Sequence, residues 1–167
     1  FLVQNCFFYN HGQENLHLQF RGNSRNTTLF RFNQFQRSQS GSSVVTEDSA
    51  KLRFIMENNQ FSNVRDSATY VLQVKATNTS NPTAVFEYNT FSGPTPVGLD
   101  LTATDSATAL FFLLNNSGTN TNALDPSYPF NFVSDTFATS GLYIKGNTAS
   151  STGYLLTNTD DTSNMVV

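Results

Sequence analysis

The sequence predicts an all-β fold, a parallel β-helix of about five coils, because a short motif recurs along the chain at a solenoid-like interval. The motif is an Asn followed two residues later by Phe, and its copies lie about 26 to 30 residues apart. The copies are Asn5-Cys6-Phe7, Asn33-Gln34-Phe35, Asn59-Gln60-Phe61 and Asn89-Thr90-Phe91, with a degenerate fifth at Asp135-Thr136-Phe137. No segment carries a helical apolar stripe over three turns. Strands that recur in one direction without crossover helices indicate a parallel β-helix.

Two sets of apolar runs predict the strands. The first set lies beside the Asn-x-Phe units and is rich in aromatic and β-branched residues, which favours short strands: Leu29–Phe32, Leu52–Met56 and Ala84–Tyr88. The second set alternates apolar with polar residues, so one face is buried: Leu16–Phe20, Tyr70–Val74, Leu99–Leu101, Leu142–Ile144 and, more weakly, Val44-Val45. Clusters such as Ser80-Asn81-Pro82 and Ser92-Gly93-Pro94 predict turns between the runs.

The recurring Asn predicts a structural ladder at the turns rather than a catalytic site. Coils of a β-helix stack about 4.8 Å apart, so a side chain meets its counterpart on the next coil. Inward amides at a turn can then hydrogen-bond to the amides above and below, as in cross-β stacks. We predict that Asn5, Asn33, Asn59 and Asn89 form this ladder, with columns of Phe in the interior.

The later part of the chain predicts an external loop insertion at residues 117–129. The segment from Leu99 to Asn116 aligns with the segment from Leu142 to Asn158, and a stretch rich in Gly, Asn and Pro separates them. Such an insertion lies outside a solenoid, where recognition usually occurs. The candidate contact residues are Asn120, Asn122, Asp125 and Tyr128, and a plain turn without a partner is the alternative.

The string Glu57-Asn58-Asn59-Gln60-Phe61-Ser62-Asn63 resembles repeat units of secreted bacterial right-handed parallel β-helix proteins. Phe-x-x-Asn spacings, as from Phe30 to Asn33 and from Phe86 to Asn89, add to this resemblance. That class includes autotransporter passengers and adhesins, polysaccharide lyases and hydrolases, and phage tailspikes. The resemblance covers roughly residues 5–158 and implies a right-handed β-helix, but it does not specify an activity.

Composition narrows the class of protein. The chain has 167 residues and a net charge of −3, so no basic excess favours nucleic acid or anionic lipid. It contains 20 Asn, 18 Ser and 21 Thr, about a third of all residues, which favours an extracellular or cell-surface protein over a cytosolic enzyme. The single Cys6 excludes an intrachain disulfide, and no apolar run reaches the length of a membrane span.

Motifs of β-helix enzymes are incomplete in this sequence. Similarity to polygalacturonase-like hydrolases implies Asn-Thr-Asp, Asp-Asp, Gly-His-Gly and Arg-Ile-Lys in that order. Asn158-Thr159-Asp160-Asp161 matches the first two strings, but Tyr143-Ile144-Lys145 precedes it and His11-Gly12 lies at the opposite end. We therefore predict no catalytic residues, and whether the chain is an enzyme stays open with a preference for no.

The remaining reactive side chains are interpreted structurally. His11 and His17 flank Glu14, but His17 alternates outward, so both histidines are predicted to be solvated. Cys6 is predicted to be a structural thiol. We predict no cofactor, with calcium as the alternative at turn carboxylates: Asp100, Asp105, Asp125, Asp160 and Asp161.

Together these patterns predict one β-helix domain over residues 1–167, expected to be a segment of a longer chain. The function expected is that of a non-enzymatic secreted or cell-surface structural or adhesive protein, at the cell surface or outer membrane. The expected partners are copies of itself, flanking β-helix coils, or a glycan or host-surface ligand, and not nucleic acid. The alternative is a β-helix that binds or degrades polysaccharide.

Overall fold

The computed structural model describes residues 1–9, 12–62, 69–94, 97–120, 128–149, 154–158 and 164–166, and every regular element within them is a β-strand. In chain order the strands are β1 (Leu2–Gln4), β2 (Phe7–Tyr9), β3 (His17–Phe20), β4 (Arg25–Arg31), β5 (Gln34–Gln36), β6 (Ser42–Thr46), β7 (Lys51–Glu57), β8 (Gln60–Ser62), β9 (Tyr70–Ala76), β10 (Asn81–Glu87), β11 (Thr90–Gly93), β12 (Val97–Ala103), β13 (Thr108–Leu114), β14 (Ser117–Asn120), β15 (Tyr128–Ser134), β16 (Thr139–Lys145), β17 (Thr148–Ala149), β18 (Tyr154–Asn158) and β19 (Asn164–Val166).

These strands form three parallel sheets. Sheet A has the order β1-β4-β7-β10-β13-β16-β19, sheet B the order β2-β5-β8-β11-β14-β17, and sheet C the order β3-β6-β9-β12-β15-β18. Each coil thus supplies one strand to each sheet. A short coil, β1 to β3, precedes five coils from β4 to β18, and β19 adds a further strand to sheet A. The predicted parallel β-helix of about five coils is confirmed.

The three corners of each coil differ in length. The corner from sheet A to sheet B has two residues, and the first adopts left-handed φ angles of 53° to 67°: Asn5, Phe32, Asn58, Tyr88, Asn115 and Gly146. The corner from sheet C to sheet A has four residues on each coil up to β16, with left-handed φ angles of 57° to 65° at the second: Gly22, Asp48, Asn78, Asp105 and Thr136. The corner from sheet B to sheet C varies most in length, from three residues at 94–96 to seven at 121–127.

Phenylalanine columns fill the interior along the solenoid axis. Phe35 and Phe61 stack with ring centroids 4.5 Å apart, and Phe61 and Phe91 follow at 5.2 Å. These rings are at most 1 % exposed, because parallel pairing in register places inward side chains directly above one another. Aromatic stacking adds to the apolar area that each coil buries.

The Phe column of sheet B stops where a ring from another sheet takes its space. The register pairs Phe91 with Gly118, and a Cβ at Gly118 would collide with Pro129 and press on the ring of Phe130. Phe130, from β15 in sheet C, lies edge-on to Phe91 with centroids 6.4 Å apart. The interior therefore stays filled although the Asn-x-Phe motif loses its Phe.

Several predictions about the turns and the late repeat were wrong. Asn81-Pro82 begins β10 and Ser92-Gly93 ends β11, because a β-helix tolerates turn-type residues within its short strands. Leu142–Ile144 lies in sheet A, not beside Leu99–Leu101 in sheet C, so the second repeat register was misaligned. Asp135-Thr136-Phe137 belongs to the corner from sheet C to sheet A, and it is not an Asn-x-Phe unit.

Candidate functional site

An amide ladder runs through the corner between sheets A and B. Asn33, Asn59, Asn89 and Asn116 are at most 2 % exposed, and Asn147 continues the column. The Nδ2 of each residue donates to the Oδ1 of the next, at 2.9 Å from Asn33 to Asn59 and 3.0 Å from Asn59 to Asn89. The same oxygen also accepts from the backbone N–H of the preceding Asn, at 3.0 and 2.9 Å respectively.

The second Nδ2 hydrogen of each ladder residue goes to the preceding coil. Asn59 donates to the carbonyl of Phe30 at 3.0 Å, and Asn89 donates to the carbonyl of Met56 at 2.8 Å. Each amide therefore satisfies buried backbone groups on two coils at once, which makes its role structural.

The structure places Asn5 outside the ladder. The N–H of Cys6, not that of Asn5, donates to Asn33 Oδ1 at 3.0 Å, and Phe8 rather than Phe7 pairs with the buried Phe35. Asn5 instead adopts the left-handed φ of 55° that precedes each ladder position. The first Asn-x-Phe copy is thus displaced by one residue, because Asn suits both positions of this corner.

The predicted contact residues are only partly described. Asn120 is the last residue of β14 and Tyr128 is the first of β15, so the predicted insertion is narrower than 117–129. Asn122 and Asp125 lie outside the described residues, as do His11, Asp160 and Asp161. Cys6 is an exposed free thiol whose Sγ lies 3.3 Å from the carbonyl oxygen of Gln4.

The outward face of sheet A carries an apolar column that sequence reasoning missed. The strand register aligns five outward residues on consecutive coils, hereafter the sheet A stripe: Leu29, Ile55, Val85, Phe112 and Tyr143. Tyr143 is 52 % exposed and the other four are half-buried. Leu110 and Leu114 lie on either side of Phe112 on β13, and Leu110 is 45 % exposed. The signal was present in the alternation of each strand, but it becomes continuous only once the register is known.

Charged side chains flank the stripe along the strands. Arg25, Lys51 and Arg53 lie towards the start of β4 and β7, and none of them forms an ion pair with a described residue. Glu57 and Glu87 lie at the ends of β7 and β10, and Glu57 accepts from Arg31 Nε at 2.7 Å. Glu87 forms no ion pair with a described residue. Two residues before the stripe the only charged residue is thus Arg53, whereas the column two residues after it mixes Glu57 and Glu87 with Arg31 and Lys145.

A second polar column follows the outward face of sheet C: His17, Ser43, Gln73, Asp100 and Asn131. Asp100 is 8 % exposed and accepts from Gln73 Nε2 and Asn131 Nδ2, both at 2.7 Å. Burial raises the pKa of the nearby Tyr70 hydroxyl above its ordinary value, and the carboxylates of Glu14 and Asp100 raise it further. The column thus contains one carboxylate, Asp100, which two amide side chains hold in place.

His17, Ser43 and Glu14 are close together but are not connected as a catalytic triad. Nδ1 of His17 lies 2.8 Å from Ser43 Oγ and also 2.8 Å from Glu14 Oε2. A triad needs the nucleophile on one ring nitrogen and the carboxylate on the other, whereas here both partners share Nδ1. The arrangement anchors the ring of His17 and leaves no relay through it.

Within the part of the chain that the structure describes, no three His, Cys, Asp or Glu side chains group closely enough to hold a metal ion. The same part of the chain has no helix of the length and hydrophobicity needed to cross a membrane.

The chain is thus a parallel β-solenoid repeat protein with a buried amide ladder at one corner and an apolar column on the outward face of sheet A. No protein-family model matches the chain, and no curated protein or solved structure is significantly similar to it.

Proposed function

We propose that the chain is a non-enzymatic structural or adhesive protein of a cell surface or secreted assembly, which binds or assembles through the outward surfaces of its coils. The observation that carries this proposal is the sheet A stripe, an apolar column on a sheet face that otherwise faces water. Contiguous exposed apolar surface of this kind marks interaction sites in proteins.

The corner from sheet B to sheet C supports the same function. Connections there differ between coils, running over 37–41, 94–96 and 121–127, while the other described corners keep their length. Segments that vary on a constant scaffold are where solenoids usually carry recognition. The segment 121–127, together with Asn120 and Tyr128 at its ends, is therefore our proposed contact loop.

The test is binding of the labelled protein to a glycan array and to intact cells. The informative variant shortens 121–127 to the length of 94–96, since β14 and β15 then stay intact. We expect binding to fall at least about tenfold while the melting temperature holds. Shortening 63–69 by the same number of residues, at the same corner on an earlier coil, is the matched control and should leave binding unchanged. If the protein binds no surface and does not self-associate, the proposal is wrong.

A second candidate function rests on the polar column of sheet C. Asp100 provides a carboxylate on the outward face of sheet C, beside the amide side chains of Gln73 and Asn131, and such polar groups can hydrogen-bond the hydroxyls of a sugar. Release of reducing or unsaturated sugar ends from a polysaccharide panel would favour this function. Asp100→Asn should then abolish release, whereas release that persists in this variant would exclude Asp100 from the chemistry.

A further inference from the structure

We infer that the outward face of sheet A binds a second copy of this chain, through a two-fold axis that runs along the sheet A stripe. The inference rests on the proposed function, because it specifies the partner of an assembling solenoid. Its basis is the complementarity between the side chains that precede the sheet A stripe along the strands and those that follow it.

A two-fold axis parallel to the solenoid axis keeps coil opposite coil and reverses the strand direction. If the axis lies over the stripe, each stripe residue meets the stripe of the partner copy. Residues two positions before the stripe then lie opposite residues two positions after it. Such isologous contacts are the usual way in which identical subunits pair.

This operation matches charge with charge on the coil of β7. Arg53 comes two residues before Ile55 of the stripe, and Glu57 comes two residues after it. Within one copy these residues are about 13 Å apart along the strand, too far to pair. In the dimer the guanidinium of Arg53 would face Glu57 on the same coil of the other copy, with Glu87 on one neighbouring coil and Arg31 on the other.

The same operation matches apolar with apolar on the coil of β13. Leu110 would lie opposite Leu114 of the other copy, and Phe112 would lie opposite its own counterpart. Phe112, Leu114 and Val85 line an open depression on the face, together with Arg53 and Thr83. Packing two sheets face to face about 10 Å apart is the ordinary arrangement of a β-sandwich.

The area suits a weak, concentration-dependent dimer. Five coils at about 4.8 Å and five overlapping residues at about 3.3 Å give about 400 Å² per copy, or about 800 Å² in total. Interfaces below about 1,200 Å² belong to weak or transient complexes. An acidic polymer would be attracted by Arg53 but repelled by Glu57 and Glu87, whereas a second copy pairs Arg53 with Glu57.

Sedimentation velocity and light scattering across a concentration series test this inference. The expected mass at high concentration is twice the 18.5 kDa of one chain. Arg53→Glu should weaken association at least about tenfold, because two symmetry-related attractions become repulsions. Glu87→Arg should weaken it to a smaller extent, because Glu87 lies one coil away from Arg53, and the double variant should recover part of the loss. Phe112→Ser should weaken it without any change in charge.

Lys51→Glu is the matched control. It makes the same charge change on the same strand and face, but Lys51 lies four residues before the stripe, outside the overlap. It should leave association unchanged. The melting temperature should also hold in every variant, since all the altered side chains point outward.

A protein that is monomeric at every concentration would overturn the inference, as would a dimer indifferent to both Arg53→Glu and Phe112→Ser. Binding of polygalacturonate by a monomeric protein, lost in Arg53→Glu, would assign the face to an acidic glycan instead. A monomer that still binds cells through the segment 121–127 would overturn only the dimer and leave the proposed function standing.

Discussion

The side-chain oxygen of Asn89 accepts two hydrogen bonds from Asn59, one from its backbone N–H at 2.9 Å and one from its Nδ2 at 3.0 Å. The same pair of bonds joins Asn33 to Asn59 at 3.0 and 2.9 Å. Since neighbouring amides use one geometry, each coil fixes the height and rotation of the next. The ladder therefore converts a sequence repeat into a constant corner between sheets A and B.

Loss of one ladder amide should destabilise the whole solenoid. Asn59→Ala leaves the N–H and Nδ2 of Asn33 and the carbonyl of Phe30 without their buried partner. We expect the free energy of unfolding to fall by about 3 kcal/mol or more, since each buried unpaired polar group costs about 1–3 kcal/mol. Urea unfolding followed by circular dichroism measures the loss. The exposed Asn81→Ala is the control and should change stability by less than about 0.5 kcal/mol. If the free energy of unfolding fell equally in the two variants, the ladder would not be the source of the stability.

The corner residue Tyr88 is strained by its left-handed backbone. Its φ is 54°, and the equivalent positions on other coils include Asn58, Asn115 and Gly146. A side chain in this region costs roughly 1–2 kcal/mol, while Gly adopts it freely but loses more entropy on folding. The free energy of unfolding of Tyr88→Gly should therefore exceed that of Tyr88→Ala by about 0.5–1 kcal/mol. Urea unfolding measures this difference. Both variants lose the same exposed ring, so a more stable Ala variant would contradict the argument.

Gly41 is required where β6 begins against the next coil. Its φ is 80°, and a Cβ there would collide with the backbone oxygen of Tyr70. Gly41→Ala should lower the free energy of unfolding by about 2 kcal/mol or more, since backbone strain and a clash with main chain act together. Gly12→Ala is the matched control, because a Cβ at Gly12 meets nothing within 4 Å. Thermal melting compares the two variants. If Gly41→Ala melted at the same temperature as the unaltered protein, the close contact between Gly41 and Tyr70 would be contradicted.

Ionisation of Tyr70 should destabilise the protein at high pH. Burial, then Glu14 and then Asp100, raise the folded-state pKa above the ordinary 10.0, so the native state holds its proton more tightly than the unfolded state does. The stabilisation is fully present below about pH 10 and is lost as pH rises through the folded pKa. Tyr70→Phe removes the ionisable hydroxyl, so its urea midpoint should fall less between neutral and alkaline pH than the midpoint of Tyr128→Phe does. Parallel pH profiles of the two variants would contradict the prediction.

Much of the fold could be predicted from the sequence because its signals are local. The Asn-x-Phe motif and the alternation in Leu52–Met56 and Tyr70–Val74 each need only neighbouring residues, and they indicated stacked parallel strands. The repeat stopped being readable after Asn89, where Gly118 and Ala149 replace the inward Phe. The ladder role of Asn116 and Asn147 was not predicted, because no Phe follows either residue at the motif spacing. At Gly118, Phe130 from a different sheet fills the space of the missing ring.

Local patterns in the sequence specify the strands, the coil length, the Phe interior and the recurrent Asn at one corner. The register between coils depends on the folded solenoid, and it places Cys6 rather than Asn5 below Asn33. The register also aligns Leu29, Ile55, Val85, Phe112 and Tyr143 into one outward column flanked by charged side chains. A single strand does not reveal its register, because strands have a two-residue period and a shift of one residue moves a side chain from the interior to the surface.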